Sequence, residues 1–123
     1  MVRKALVVDD SMAVRRMQQR TLEALGWQVY TASNGKKALG ALRVCPDCTL
    51  VLTDWHMPEM DGLQLVRAVR SEPEFQGLRV VMVTSESNLN SVQLALEAGA
   101  DDLIMKPVSS DLLGERLAEI LDE

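Results

Sequence analysis

Polar side chains follow four of the short apolar segments in this sequence, at the point where each segment ends. In chain order these side chains are Asp9 with Asp10, Asp54, Thr84, and Lys106. Three carboxylates that meet without a cation repel one another, and an all-oxygen set of this kind suits Mg²⁺, which also keeps waters and phosphate oxygens as ligands. A lysine supplies a positive charge for an anionic oxygen, and a threonine supplies a hydroxyl donor.

Asp54 is the expected acceptor of a phosphoryl group, because it stands alone at its segment end whereas Asp9 and Asp10 form a pair suited to the metal. A metal, a lysine and a hydroxyl around one carboxylate are the components of a site for phosphoryl transfer to that carboxylate. Each feature alone has a simpler explanation, since an aspartate after a strand is usually a helix cap or a turn former. The joint pattern at four segment ends is what indicates phosphoryl transfer.

Alternating strands and helices must bring these segment ends together. The apolar segments predict strands at 5–8, 27–32, 50–53, 80–84 and 103–105. Helical spacing of apolar residues predicts helices at 12–25, 35–44, 62–70, 90–99 and 111–121. Strict alternation predicts an α/β protein with a parallel sheet covered by helices on both faces. Ligands of such sheets bind outside the carboxyl ends of the strands, where the polar side chains are expected to meet.

The bulk composition is that of one globular domain. The chain has 123 residues, of which 47% are hydrophobic and 25% are charged. No apolar run approaches the roughly 20 residues that a membrane helix needs, and the run at 5–8 is too short for a signal peptide. We therefore predict a cytoplasmic protein without membrane insertion. The net charge of −5 disfavours direct binding to nucleic acid, whose phosphates would be repelled.

Charge is distributed unevenly along the chain. Residues 1–43 carry 8 basic and 3 acidic groups, whereas residues 44–123 carry 5 basic and 15 acidic groups. Three of the basic groups, Arg15, Arg16 and Arg20, are predicted to project from the first helix. Solvated helix faces are the simpler explanation of this pattern, and docking of an acidic protein partner is the alternative.

The segment CPDC contains both cysteines of the sequence, Cys45 and Cys48. A thioredoxin-type pair sits at a helix N-terminus, where the dipole lowers the thiol pKa, but this pair precedes a predicted strand at the edge opposite Asp54. Zinc would need two further ligands, and the single histidine, His56, is expected at the far edge of the sheet. We expect a plain turn with Cys48 buried, and a regulatory disulfide is the alternative.

Five motifs together resemble the receiver domain of two-component response regulators: VVDDS, VLTDWHMPEMDG, VMVTS, EAGADD and KP. The resemblance covers residues 1–123 and is greatest to the single-domain chemotaxis regulators, on DWHMPEMDG and RRMQQRTLEALG. It implies a flavodoxin-like (βα)5 three-layer sandwich, whose five parallel strands have the order 2-1-3-4-5. It also implies one regulatory domain over 1–123 that is not an enzyme, although it assists its own phosphorylation and dephosphorylation.

The resemblance also implies the roles of individual residues. Asp54 would accept the phosphoryl group, Lys106 would pair with one phosphoryl oxygen, and Thr84 would close on another. The implied ligands of Mg²⁺ are Asp9, Asp10, Asp54 and the backbone carbonyl of His56. A sensor histidine kinase or a phosphotransfer protein is the implied donor, and a downstream protein of unknown identity is the implied target. The peptide bond between Lys106 and Pro107 is implied to be cis.

Two positions near the implied site need comment. Three residues before Lys106 the family usually has Tyr or Phe, whose inward rotation accompanies closure of the threonine. This chain has Leu103 there, so we expect the switch at Thr84 and Leu103 to work by repacking instead of ring rotation. For His56, we favour a ring that faces solvent over a role as general base.

Three other functions would require different residues. A phosphohydrolase of the haloacid dehalogenase type would need a second Asp two places after the nucleophile, where this sequence has His56. A flavodoxin-like electron carrier would need a hydroxyl-rich phosphate loop after the first strand, but the acidic DDSMAVRR would repel a flavin phosphate. A receiver-like interaction domain independent of phosphorylation would have lost Asp54, Lys106 or the acidic pair, and none is lost.

Overall fold

Five strands alternate with five helices in the computed structural model, which describes residues 2–121. The strands are β1 (Lys4–Val8), β2 (Gln28–Ala32), β3 (Leu50–Thr53), β4 (Arg79–Thr84) and β5 (Asp102–Met105). The helices are α1 (Met12–Ala24), α2 (Gly35–Val44), α3 (Gly62–Ser71), α4 (Leu89–Ala98) and α5 (Ser110–Ile120). A short 3₁₀-helix, Pro73–Phe75, precedes β4. The ten predicted elements are therefore confirmed, with bounds that differ by at most one residue.

All five strands are parallel and have the order β2-β1-β3-β4-β5. This is the predicted flavodoxin-like topology. Because β1 and β3 lie side by side at the centre, the chain segments that follow them emerge next to each other at the carboxyl edge. The strand order reverses between β1 and β3, since β2 is added on one side of β1 and β3 to β5 on the other, and open α/β sheets form their ligand crevice at such a point.

The core consists of two apolar clusters, one on each face of the sheet. Leu6 and Val8 of β1 contribute to the cluster that packs against α2, α3 and α4, which we call the α2–α4 cluster. Ala5 and Val7 contribute to the cluster that packs against α1 and α5, which we call the α1/α5 cluster. Successive residues of a strand point to opposite faces, so a continuous apolar strand fills both clusters.

Local capping explains where the helices begin and end. The Asn34 side chain accepts a hydrogen bond from the Lys37 N–H at the start of α2, and Asp61 forms a reciprocal capping box with Gln64 at the start of α3. Gly26 and Gly99 follow α1 and α4 with positive φ angles, the conformation that glycine adopts most readily. The observed ends of α1 and α4 lie within one residue of the predicted helices 12–25 and 90–99.

Three details refine the sequence analysis. Leu25, the last residue of the predicted helix 12–25, is 49% exposed and lies at the C-cap of α1 instead of within the helix. The bond between Lys106 and Pro107 is cis, as the resemblance implied. Among residues 2–121, no helix has both the length and the apolar character needed to cross a membrane.

Candidate functional site

The polar side chains predicted to meet do so at the carboxyl edge of the sheet. Backbone hydrogen bonds extend the strand pairing into the segments that carry them. The Asp54 N–H donates to the Val8 carbonyl at 2.9 Å, and the Lys106 N–H donates to the Thr84 carbonyl at 2.9 Å. The pairing of the strands therefore fixes the backbone positions of Asp54 and Lys106.

Asp9, Asp10 and Asp54 form a compact acidic cluster. One carboxylate oxygen of each residue lies within 4.8 Å of the others. Asp9 is buried, Asp54 is half-buried with its side chain 13% exposed, and Asp10 is exposed. Three oxygen donors that converge on one point, with one side open to water, fit Mg²⁺, which binds through few carboxylates and keeps several waters. The residues present therefore fit the metal that the sequence predicted.

Lys106 partly compensates the charge of this cluster. Its Nζ lies 2.9 Å from Asp9 Oδ2 and 3.4 Å from Asp54 Oδ2. Burial alone would lower the pKa of Lys106, but its hydrogen bond to Asp9 and the attraction of both carboxylates raise it. Burial, and then the charge of Asp9, raise the pKa of Asp54. Lys106 is thus a cation beside a carboxylate whose charged form is disfavoured by burial and by Asp9, and a bound cation would favour that charged form.

Asp9 is held in place by contacts that the sequence analysis did not identify. Its Oδ1 accepts a hydrogen bond from the Ser11 N–H at 2.9 Å, and its backbone carbonyl accepts one from Arg15 Nη1 at 2.7 Å. Arg15 was expected to project from α1, but it is only partly exposed and turns back onto this carbonyl. Arg16 and Arg20 are exposed as expected. No sequence signal distinguishes Arg15, because the contact depends on the path of the loop after β1.

Thr84 and Leu103, the expected switch residues, are both buried. Thr84 is 0% exposed, and its Oγ1 accepts a hydrogen bond from the Glu86 N–H at 3.1 Å. Leu103 is 8% exposed, belongs to the α2–α4 cluster, and pairs in register with Met82 of β4. The aliphatic side chain thus already lies inside the core.

The residues that follow Asp54 have different surroundings. The Trp55 N–H donates to Asp54 Oδ1 at 2.8 Å, while its indole is 7% exposed and belongs to the α2–α4 cluster. The His56 side chain is 66% exposed, as expected, and its Nε2 lies 3.0 Å from Glu86 Oε2. This hydrogen bond lowers the pKa of Glu86. Glu86, two residues after Thr84, was missed in the sequence because nothing in its spacing identifies His56 as its partner.

The two cysteines lie in a plain turn at the amino edge of the sheet. The Cys48 N–H donates to the Cys45 carbonyl at 3.2 Å, both thiols are free, and Cys48 is buried. Burial raises the pKa of Cys48 to about 11, so this thiol is protonated at neutral pH. These features agree with the turn predicted from the sequence.

Comparisons with known proteins agree with this geometry. Residues 5–118 match the response regulator receiver domain. The chain is 41% identical over 119 residues to chemotaxis protein CheY1 of Helicobacter pylori, covering 96% of each chain. The same identity links it to a CheY homolog of Campylobacter jejuni, covering 96% of this chain and 92% of that one.

Solved structures include two informative matches. CheY4 of Vibrio cholerae superimposes with a TM-score of 0.91 at 30% identity, covering 98% of this chain and 99% of that one. The BeF3-activated DrrB receiver domain superimposes with a TM-score of 0.85 at 28% identity, covering 100% of both chains.

Proposed function

Because the chain belongs to the response regulator receiver domain family, we propose that it transmits a two-component signal through a phosphoryl group carried on Asp54. The observation that supports this role most directly is the acidic cluster with Lys106 beside it. The proposed unit is one receiver domain over residues 1–123, a regulatory domain that acts on no substrate other than its own phosphoryl group.

In the proposed reaction, a carboxylate oxygen of Asp54 attacks the phosphorus of a phosphohistidine. The P–O bond forms as the P–N bond breaks, and the histidine ring leaves with the electron pair and retains a proton. Signalling ends when water attacks the phosphorus, which restores the Asp54 carboxylate and releases inorganic phosphate. The first step brings a dianionic group to a site that already holds three carboxylates, and both steps transfer that group beside them, so charge compensation is the main requirement.

The residues of the site divide this task. Mg²⁺ held by Asp9, Asp10, Asp54 and the His56 carbonyl would neutralise charge on the transferring oxygens. Lys106, 3.4 Å from Asp54, needs only a small movement to pair with a phosphoryl oxygen. The Thr84 Oγ1 accepts the Glu86 N–H and keeps its own hydrogen available for another phosphoryl oxygen. Closure of Thr84 with repacking of Leu103 is the proposed switch.

A sensor histidine kinase or a phosphotransfer protein is the proposed donor, and an unidentified protein is the proposed downstream target. We propose that the protein neither binds nucleic acid directly nor inserts into a membrane. We place the reaction in the cytoplasm, because a phosphohistidine donor is renewed from ATP there. The alternative of an interaction domain independent of phosphorylation has no observation in its favour, since Asp54, Lys106 and the acidic pair are all present.

Intact mass spectrometry with acetyl phosphate tests this proposal. With Mg²⁺, the protein should gain one phosphoryl group, about 80 Da. Asp54→Asn should gain none. Asp61→Asn is the matched control, because it removes a carboxylate from the same loop while asparagine still caps α3. Equal labelling of Asp54→Asn and wild type would overturn the assignment.

A further inference from the structure

The loop that carries the site, residues 54–61, is fastened to the rest of the molecule by its backbone at two carbonyl groups. The Gly62 N–H, at the start of α3, donates to the Trp55 carbonyl at 2.7 Å. The Gly35 N–H, in the first turn of α2, donates to the Met60 carbonyl at 2.9 Å. The second fastening joins the loop to a different βα unit.

Gly35 is closer to the loop than any side chain would allow. A Cβ at Gly35 would lie 2.6 Å from the Met60 carbonyl oxygen and 2.8 Å from the Met60 Cγ, so backbone atoms would have to move. The φ angle of Gly35 lies outside the left-handed region, and the position is helical. Glycine is therefore required here by close approach and not by backbone conformation. By contrast, a Cβ at Gly40 of the same helix would meet no atom within 4 Å.

The fastened loop is also strained. Glu59, adjacent to Met60, has a φ angle of 68°, in the left-handed region that a residue with a side chain rarely adopts. Such a conformation persists only when its surroundings hold it in place. The hydrogen bond from Gly35 reaches the residue directly after this strained position. It also satisfies an N–H group that the first turn of a helix leaves without an intrahelical partner.

We propose that Gly35 is a positioning residue for phosphoryl transfer, which fixes the Met60 carbonyl and through it the loop that presents His56 and Asp54 to the metal and the phosphoryl group. The inference rests on the proposed function. Gly35 touches neither the acidic cluster nor the reacting atoms. The His56 carbonyl lies in sequence between the Trp55 and Met60 carbonyls, which accept the two hydrogen bonds. A shift of Met60 would therefore move the His56 carbonyl as well.

The test compares Gly35→Ala with the matched substitution Gly40→Ala. Mg²⁺ affinity is measured by calorimetry, and the rate of phosphorylation by acetyl phosphate is measured by intact mass, both far below each variant's unfolding temperature. Gly35→Ala should bind Mg²⁺ about tenfold more weakly, the size expected when a group that orients metal ligands is disturbed, and should be phosphorylated correspondingly more slowly. Gly40→Ala should match wild type in both measurements.

A purely structural role would lower the unfolding temperature of Gly35→Ala and leave its Mg²⁺ affinity unchanged, and that result overturns the proposal. If wild type and Gly40→Ala are not phosphorylated, the proposed function fails instead. Should Gly35→Ala not fold, wild type supplies the test by nuclear magnetic resonance. A scalar coupling through the hydrogen bond between the Gly35 nitrogen and the Met60 carbonyl carbon, with Gly35 amide shifts that respond to Mg²⁺, supports the proposal. Absence of either overturns it.

Discussion

Asp9 and Asp10 are adjacent in the sequence, but their carboxylates have different surroundings. Asp9 is 1% exposed, and its two oxygens accept hydrogen bonds from the Ser11 N–H and from Lys106. Asp10 is exposed, yet one of its oxygens lies within 4.8 Å of oxygens of Asp9 and Asp54. Asp9 therefore has a structural role as well as a proposed metal role, whereas Asp10 adds charge to the cluster without being buried.

Asp10→Asn should separate metal binding from folding. We expect at least tenfold weaker Mg²⁺ binding, because a proposed ligand loses its charge. Without metal, the variant should be no less stable than wild type, since repulsion within the cluster is relieved. Wild type in Mg²⁺ at 100 times its Kd should gain about 2.7 kcal/mol in unfolding free energy, and the variant much less. Thermal unfolding with and without Mg²⁺ measures both effects, and an unchanged Mg²⁺ affinity would exclude Asp10 as a ligand.

Cys48 should make stability sensitive to alkaline pH. Its folded pKa is about 11, above that of the same thiol in the unfolded chain. As pH rises between these two values, the unfolded state binds fewer protons than the folded state, so the unfolding free energy falls, by at most about 1.4 kcal/mol per pH unit. Denaturant titrations from pH 8 to 11 should show a shallower decline in Cys48→Ala. Cys45→Ala is the comparison: burial raises the pKa of Cys45 as well, but this thiol is less buried, so its removal should change the slope less. An equal slope in Cys48→Ala and wild type would contradict the burial argument.

Individual residues differ in how far the sequence could identify them. Asp9, Asp10, Asp54 and Lys106 were predictable, because parallel pairing brings strand ends to one edge whatever the side chains do. The contacts of Arg15 with the Asp9 carbonyl and of His56 with Glu86 were not predictable. They depend on loop paths and side-chain rotamers, which leave no periodic signal in the sequence.

Helix α1 presents Arg16 and Arg20 to solvent, whereas Arg15 is engaged with the Asp9 carbonyl. Its N-terminal end adjoins the site, so an acidic phosphotransfer partner could meet these two arginines while it delivers its phosphohistidine. The docking surface predicted from the sequence is thus reduced from three arginines to two. Arg15 contacts the site itself, through the Asp9 carbonyl.

Arg16→Glu should slow phosphoryl transfer from a cognate kinase or phosphotransfer protein. Long-range attraction raises association rates most at low salt, so we expect a loss of about tenfold at low ionic strength that shrinks as salt is added. Arg67→Glu is the matched control, because it reverses the same charge at an exposed position of α3. Labelling by acetyl phosphate should be unchanged in both variants. If the transfer rate changes neither with the Arg16 substitution nor with salt concentration, Arg16 is an ordinary solvated residue and not part of a docking surface.

The sequence predicted the helices and strands more completely than the contacts between them. Caps and stops at Asn34, Gly26 and Gly99 have local sequence signals, so helix bounds were predicted within two residues. The 3₁₀-helix Pro73–Phe75 was not predicted, because a single turn contains too few residues to show periodicity. The fastening of the 54–61 loop by α2 was also missed, since it joins backbone groups 25 residues apart in sequence, Gly35 and Met60.

The two faces of the sheet contain different reporters of the state of the molecule. Trp55 belongs to the α2–α4 cluster, together with Leu103 and Met82. Trp27 belongs to the α1/α5 cluster, where the Arg3 guanidinium carbon lies 4.4 Å from its ring centroid. Trp27 precedes β2 and so lies at the amino edge, away from Asp54. If the site signals through Thr84 and Leu103, the change should spread through the α2–α4 cluster and leave the opposite face largely unaltered.

Tryptophan fluorescence of a Trp27→Phe variant should therefore report the switch through Trp55 alone. The Trp55 backbone adjoins Asp54, so Mg²⁺ binding places new charge near the indole and should change its emission. If Leu103 repacks as Thr84 closes, phosphorylation, or BeF3⁻ as a phosphoryl analogue, should give a further change beyond that of Mg²⁺. Leu103→Ala should then respond to Mg²⁺ as before but show a smaller second step, because the repacking side chain is absent. Trp55→Phe, which retains Trp27, is the control and should respond weakly to both additions. A Trp27→Phe protein that is fully phosphorylated by mass, yet emits as its Mg²⁺ form does, would argue against any rearrangement of the α2–α4 cluster around Trp55.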